Sequence, residues 1–311
     1  MQELIQININ QKKPEWFRIK LPSGEKYELV KSLVKTNRLH TICEEAKCPN
    51  LAECWSHGTA TFLILGDVCT RYCGYCNVKT GKPFHFDKEE PKKVADAVKK
   101  LNLKYVVITS VTRDDLEDGG ASMYSETMKE IKKSNPNCSV ELLIPDFKIR
   151  SGKILKEGYL NDNALKTVVD AKPDVLAHNI EAVRRVFSQV RPGGNYDVSL
   201  QLLKTIKKIN KKMPTKSSII LGFDETKKEI IETMKDLRKN KVDFLTLGQY
   251  LQPTMRHVQI EKFYTPNEFE ELKSIGLKIG KSCKNLLAIT TLKGPGRYLI
   301  NRKRHCIITL Y

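Results

Sequence analysis

From residue 60 onward the chain alternates between short apolar blocks and longer stretches in which apolar residues recur every three or four positions. The blocks at 62–65, 105–109, 139–144, 175–178, 217–221 and 244–247 are too short for helices and nearly continuous in apolar character, the pattern of strands buried on both faces. Helical spacing predicts helices over 91–101, 122–133, 163–170, 181–188, 199–212, 225–240 and 267–275. Six strand and helix units in this order predict an α/β fold, a parallel sheet curled into a partial (β/α)6 TIM-like barrel. In such barrels the chemistry gathers at the C-terminal strand ends. Residues 1–60 lack the alternation and read as an N-terminal extension, 61–277 as the barrel, and 278–311 as an atypical basic C-terminal tail.

Six of the nine cysteines stand in two groups of three. Cys69, Cys73 and Cys76 form a C-x-x-x-C-x-x-C run just after the first strand block. Three thiolates in one tight loop can hold three irons of a 4Fe-4S cube and leave the fourth open to a substrate or cofactor. A structural zinc loop is the alternative, but such sites are closed by four ligands and usually come as paired C-x-x-C knuckles. Cys43, Cys48 and Cys54 form C-x-x-x-x-C-x-x-x-x-x-C in the extension, again one ligand short. Cys138 begins a strand block and reads as buried and inert. His57, His178 and His257 read as packed or hydrogen-bonded residues.

The formal charge of +18 raises a function of another class, a metal-stabilised RNA-binding protein. Its distribution argues against that. Positions 278–311 hold eight basic and no acidic residues, leaving 46 basic against 36 acidic, or +10, for the first 277. Pairs such as Lys99-Lys100 and Lys207-Lys208 alternate with apolar residues at helical spacing and read as solvated helix faces, although a basic surface can also dock an acidic carrier domain. No apolar run is long enough to cross a membrane, and the N-terminus shows neither a leader nor a presequence pattern. Cysteines in ligand spacing fit a reducing compartment, and a cytoplasmic location is expected.

Taken together, the two thiol groups resemble those of the lipoyl synthase family of radical S-adenosylmethionine (SAM) enzymes. The resemblance extends from about residue 16 to 269. Val107-Ile108-Thr109-Ser110-Val111-Thr112-Arg113-Asp114-Asp115, Leu143-Ile144-Pro145-Asp146-Phe147 and His178-Asn179-Ile180-Glu181 stand in the family's order. Val190-Arg191, Tyr196 and Leu247-Gly248-Gln249-Tyr250-Leu251-Gln252-Pro253 with His257 follow. The departures are Ala177 before the His-Asn pair, Ser218 and Asp224 in the segment where the family favours glycine, and a longer basic loop over 148–163.

The resemblance implies a sulfurtransferase. Hydrogens of a saturated acyl chain are neither acidic nor electrophilic, so a cofactor must carry the reaction. A cluster on Cys69, Cys73 and Cys76 would pass an electron to SAM, giving methionine and a 5′-deoxyadenosyl radical. The radical would remove hydrogen from the sixth carbon of a protein-bound octanoyl chain. Sulfur from an auxiliary cluster on Cys43, Cys48 and Cys54 would be captured, and a second SAM would repeat the step at the eighth carbon. Expected SAM contacts are Thr109, Ser110, Thr112, Asn179 and Glu181, with Arg191 as carboxylate partner, since a zwitterionic tail wants one acidic and one guanidinium neighbour. Tyr72 and Tyr75 are candidates to stack on adenine or to shield the cluster.

The implied cofactors are two 4Fe-4S clusters and SAM. The implied partners are octanoylated lipoyl-carrier domains (2-oxoacid dehydrogenase E2 subunits, glycine cleavage H protein), an electron donor such as flavodoxin or ferredoxin, and an iron-sulfur cluster carrier, with no nucleic acid and no membrane. Another two-cluster radical SAM enzyme is the competing reading, which a second cysteine group placed N-terminal to the SAM loop disfavours. The family usually ends in an Arg-Ser-Ser-Tyr motif whose serine is the fourth auxiliary ligand. This chain lacks it, and Ser282, Cys283 and Cys306 are the candidate substitutes.

Overall fold

The computed structural model describes residues 14, 24–48, 50–57, 60–151, 154–281 and 288–290. Ser282, Cys283 and Cys306, and with them most of the tail, lie outside these residues. The extension is more regular than its sequence pattern. Helix α1 (Glu25–Thr36) leads to strand β1 (His40–Thr41), and two short helices, α2 (Ile42–Glu45) and α3 (Leu51–Ser56), carry the first cysteine group. β1 pairs antiparallel with β2 (Thr61–Ile64), His40 opposite Leu63, so the extension is sewn onto the edge of the barrel sheet.

After β2 come a small ladder of β3 (Val68–Cys69) and β4 (Lys79–Thr80), α4 (Glu90–Lys100), β5 (Tyr105–Ser110), α5 (Ala121–Ser134) and β6 (Ser139–Leu143). A hairpin of β7 (Lys148–Ser151) and β8 (Ile154–Leu160) precedes α6 (Asp162–Asp170), β9 (Val175–Ala177), α7 (Phe187–Val190) and α8 (Tyr196–Ile209). β10 (Thr215–Leu221), α9 (Lys227–Lys239), β11 (Phe244–Gln249), α10 (Pro266–Lys281) and β12 (Ala288–Thr290) complete the order. The sheet runs β1-β2-β5-β6-β9-β10-β11-β12, parallel throughout except at β1. The six predicted strands are β2, β5, β6, β9, β10 and β11, each followed by a crossover helix, as a partial (β/α)6 barrel requires. β12 is a further parallel strand that the apolar pattern does not announce.

Local chemistry explains most boundaries. Pro91 sits in the first turn of α4, where its missing N–H costs nothing, and Lys99 and Lys100 occupy the last turn against the helix dipole. Asn161 and Asn195 cap α6 and α8 through their side chains, and Thr226 with Glu229 forms a capping box on α9. The Asn195 cap starts α8 at Tyr196, three residues before the predicted 199. All seven residues of β10 are buried, as expected for a strand covered on both faces.

Two differences from the sequence pattern have tertiary causes. The helix expected over 181–188 is confined to α7, because Glu181 continues the sheet instead: its N–H donates to Ser218 O at 3.0 Å and its carbonyl accepts from Ile220 N–H at 2.7 Å. The basic stretch at 148–163 holds the β7–β8 hairpin rather than an irregular loop. Asp224 takes φ 67, a left-handed conformation that Asp tolerates better than most residues.

Candidate active site

The loop bearing Cys69, Cys73 and Cys76 is built on a strained turn. Leu65, just after β2, has φ 70 and Gly66 has φ 89. Glu90 Oε2 accepts the Leu65 N–H at 2.7 Å, and Arg113 Nη1 donates to Leu65 O at 3.2 Å. A left-handed non-glycine residue costs about 1–3 kcal/mol and persists only where its surroundings hold it. Past this turn, the backbone N–H groups of Arg71 and Thr112 both point at Cys69 Sγ, at 3.4 Å each. Gly74 is gripped from two sides: its N–H donates to Val190 O and its carbonyl accepts from Val258 N–H, both at 2.8 Å. A Cβ there would meet Val258 Cγ2 at 2.6 Å and Gln189 O at 3.0 Å, so the approach demands glycine. His257 closes the loop with Nε2 3.0 Å from Cys76 O.

Beneath the loop lies a buried ionic network. Arg71 forms bidentate bonds to Asp114, Nε to Oδ2 at 2.7 Å and Nη2 to Oδ1 at 2.6 Å. Its Nη1 and Nη2 also reach Asp146 Oδ2 and Oδ1 at 2.8 and 2.6 Å. Burial would raise the Asp146 carboxyl, but the charges of Arg71 and Arg191 outweigh it and hold the group well below the usual carboxylate range. Arg191 Nη2 stands 3.9 Å from Asp146, and its Nη1 donates to Asn179 O at 3.0 Å. His178, with Nδ1 2.9 Å from Ile144 O and Nε2 3.1 Å from Ser199 Oγ, is pushed down to about 4 by burial and by Arg191, so it is neutral at pH 7.

These groups surround a cavity of about 380 Å³ at the C-terminal strand ends. Cys69, Cys73 and Cys76 line it, as do all six expected SAM contacts: Thr109, Ser110, Thr112, Asn179, Glu181 and Arg191. Thr109 Oγ1 is committed to Leu143 O at 3.0 Å, and Ser110 Oγ accepts from Tyr124 OH at 3.0 Å, so these two hydroxyls already hold the walls together. Glu181, with φ 70 and 8% exposed, has its carboxyl pulled up by burial, opposed by Arg191, Tyr75 and Asn179. Tyr75 is half-buried in the wall, while Tyr72 turns its ring outward and is 69% exposed. Leu63, Leu143, Ile144, Leu251 and Pro253 supply apolar wall.

Of the extension's thiols, Cys48 lines the same cavity, whereas Cys43 and Cys54 stand behind it. Thr41 caps α2 through Glu44 N–H at 3.3 Å, and Cys48 N–H donates to Cys43 O at 2.9 Å, which folds the group tightly. Burial raises the Cys48 thiol, and the nearby Cys43 and Cys54 raise it further, while the Asn50 and Leu51 N–H groups oppose. Cys73 and Cys76 are pushed up to about 11 and about 12, mainly by burial. Any metal that these thiols take up must therefore displace their protons. Among the described residues no three His, Cys, Asp or Glu side chains converge on one ion-sized point. A cube asks for a different arrangement, each thiolate taking its own iron, and two sets of three thiols with backbone N–H donors aimed at sulfur suit it.

Sequence reasoning did not single out Arg71 or its two carboxylates as a unit, since the partners are 43 and 75 residues away and no local pattern joins them. His57, His178 and His257 have hydrogen-bonding roles, His57 to Glu53 O at 2.7 Å. Cys138 is fully buried.

Residues 63–237 match the family model described as the radical SAM superfamily, and residues 3–48 match that of the N-terminal domain of lipoyl synthase. A lipoyl synthase from Geobacillus sp. (strain WCH70) is 52% identical over 270 residues, covering 86% of this chain and 87% of the relative. The chain belongs to the lipoyl synthase family. A lipoyl synthase from Aliivibrio fischeri is 49% identical over 270 residues, covering 86% of this chain and 81% of its own. Among solved structures, the FeFe-hydrogenase maturase HydG from Carboxydothermus hydrogenoformans superposes with a TM-score of 0.57 at 13% identity, over 86% of this chain and 66% of that one. Methylornithine synthase gives 0.54 at 12% identity, over 93% and 87%. At such identities the likeness concerns the fold alone.

Proposed function

We propose that this member of the family inserts two sulfur atoms, at the sixth and eighth carbons, into an octanoyl chain carried on a lysine of a protein, using SAM and two 4Fe-4S clusters. The observation that carries the reading is one cavity lined by Cys48 from the extension, by Cys69, Cys73 and Cys76, and by Glu181 and Arg191. A single acyl chain in that space lies within reach of both thiol groups. Cys69, Cys73 and Cys76 hold the first cluster, and Cys43, Cys48 and Cys54 the auxiliary one. When bound, the clusters supply the electron for SAM cleavage and the sulfur.

The residues of the chain do the rest. Arg191, beside Asp146 and next to a neutral His178, receives the carboxylate of the SAM methionine tail, and Glu181 its ammonium. Thr109, Ser110, Thr112 and Asn179 complete the strand-end wall that seats the remainder of SAM. Leu63, Leu143, Ile144 and Leu251 give the saturated chain an apolar path. The Arg71 network fixes the loop so that the first cluster keeps one orientation.

The substrates are lipoyl-carrier domains, the 2-oxoacid dehydrogenase E2 subunits and the glycine cleavage H protein. The electrons come from a donor such as flavodoxin or ferredoxin, and an iron-sulfur carrier renews the auxiliary cluster. Seven described cysteines are free of disulfides, which supports a reducing, cytoplasmic setting, and no helix among the described residues is long and apolar enough to cross a membrane. The working division remains 1–60, 61–277 and 278–311, with α10 crossing the last boundary. Anaerobic incubation with SAM, a reductant and an octanoylated peptide, followed by mass spectrometry, tests the reading: products heavier by one and then two sulfurs are expected. Iron analysis should find about eight irons per chain, and stoichiometric zinc in their place would defeat it.

A further inference from the structure

Five large hydrophobic side chains are exposed among the described residues, and two of them flank the cavity. Tyr72, 69% exposed, stands between the lining residues Arg71 and Cys73; Met255, 70% exposed, follows two residues after the lining residue Pro253. The loops that carry them are bonded to each other through Val258 N–H to Gly74 O and His257 to Cys76 O, so the two apolar groups belong to one braced surface. Around them the charge is unbalanced. Lys47, exposed and itself lining the cavity, and Arg256, exposed beside Met255, have no carboxylate partner among the described residues. Lys148, two residues past Asp146, donates to Gly193 O and carries the base of the β7–β8 hairpin. The rim's carboxylates are mostly committed: Asp114 to Arg71, Asp115 to Arg113, and Asp118 to the N–H groups of Gly120 and Ser122. Glu44 and Glu117 remain exposed.

We propose that this rim is a docking surface for the acidic face of the folded carrier domain, with Tyr72 and Met255 as apolar anchors and Lys47, Lys148 and Arg256 as the charges around them. The inference rests on the proposed function, because a substrate carried on a protein must present its acyl-lysine across this opening. Aromatic, Met and Arg side chains are the types enriched at protein interfaces, and a chain of net charge +18 draws an anionic partner toward them. A small free substrate would need no anchors outside the cavity.

The test compares wild type with a Met255→Glu/Arg256→Glu variant, using a labelled, folded, octanoylated carrier domain for binding by fluorescence anisotropy and an uncharged octanoyl-lysine peptide for turnover. The carrier Kd should rise about tenfold or more in the variant, while peptide turnover and 5′-deoxyadenosine release stay within about twofold. In wild type the carrier Kd should weaken steeply with salt, and in the variant much less. Carrier binding indifferent to both substitutions and salt overturns the proposal, as does oligonucleotide binding that the variant loses while carrier binding is untouched. A variant that also fails on the peptide is misfolded, and Arg256→Gln with the wild-type salt series then decides by the same criteria. Intact, salt-sensitive carrier binding without any sulfur insertion upholds the surface and refutes the proposed activity instead.

Discussion

Glu90 makes a quantitative test of how the cluster loop is supported. Its side chain, 5% exposed, accepts the Leu65 N–H at the left-handed turn, and burial pushes its carboxyl up to about 7 against the opposing pull of the Leu65 and Gly66 N–H groups and His40. Because the folded value lies above the unfolded one near 4.5, the fold prefers the protonated form. The associated stability is complete below pH 4.5 and is lost as the pH rises through 7. At about 1.36 kcal/mol per pH unit over that window, ionisation removes roughly 3 kcal/mol. Glu90→Gln cannot ionise, but it places an amide NH₂ where Glu90 accepts, at a cost of about 1 kcal/mol. The variant should therefore melt below wild type at about pH 4.5 and above it at neutral and alkaline pH. The crossover should fall where the loss equals the amide's cost, near about pH 5, and the total swing be about 5 °C or more for a chain of this size. Anaerobic thermal melts of the reconstituted proteins across the pH range measure this directly. Parallel melting curves, with a constant offset at every pH, would refute the account.

Further outcomes follow from the same geometry. Gly74→Ala should lower iron content and SAM cleavage together, because its Cβ would sit 2.6 Å from Val258 Cγ2 and 3.0 Å from Gln189 O, an overpacking of about 1–3 kcal/mol. Adding Val258→Ala should restore part of the iron, since only the first contact is relieved, and a full or absent rescue would misplace the clash. Cys73→Ala should release no 5′-deoxyadenosine; chromatographic detection of that product would remove the first thiol group from SAM chemistry. Cys48→Ala should retain some SAM cleavage while mass spectrometry finds no sulfur in the acyl chain, and lipoyl product from this variant would take the extension's cluster out of the reaction.

The barrel was legible because its strands are apolar blocks with little competing signal, and the two thiol groups because cysteines gathered in one short segment leave a spacing in the sequence. What stayed hidden depends on contacts between distant segments. Glu181 sits in a stretch with helical spacing, yet its backbone joins β10, so sheet pairing overrides the local pattern. The Asn195 cap, which moves the start of α8, follows a glycine pair that by itself reads as loop. The bases of 148–163 gave no strand alternation, and their hairpin is set by pairing. Among the candidate SAM contacts, strand-end position was a good guide to the cavity but not to which hydroxyls are free, since Thr109 and Ser110 spend theirs on the walls.

The stitching of β1 to β2 bears on how the protein matures. His40 meets Leu63 across that ladder, so the segment holding Cys43, Cys48 and Cys54 can settle once little more than the first strand has left the ribosome. The loop of Cys69, Cys73 and Cys76 must wait for Asp146, Val190, His257 and Val258, the last contacts lying 181 residues beyond Cys76. At about 5–20 residues per second that is a delay of roughly tens of seconds. During this interval the later thiols stand without their clamps, open to oxidants and to stray metal. The extension's thiols are thus in place first, and the loop of Cys69, Cys73 and Cys76 is clamped only when the second half of the barrel has closed over it.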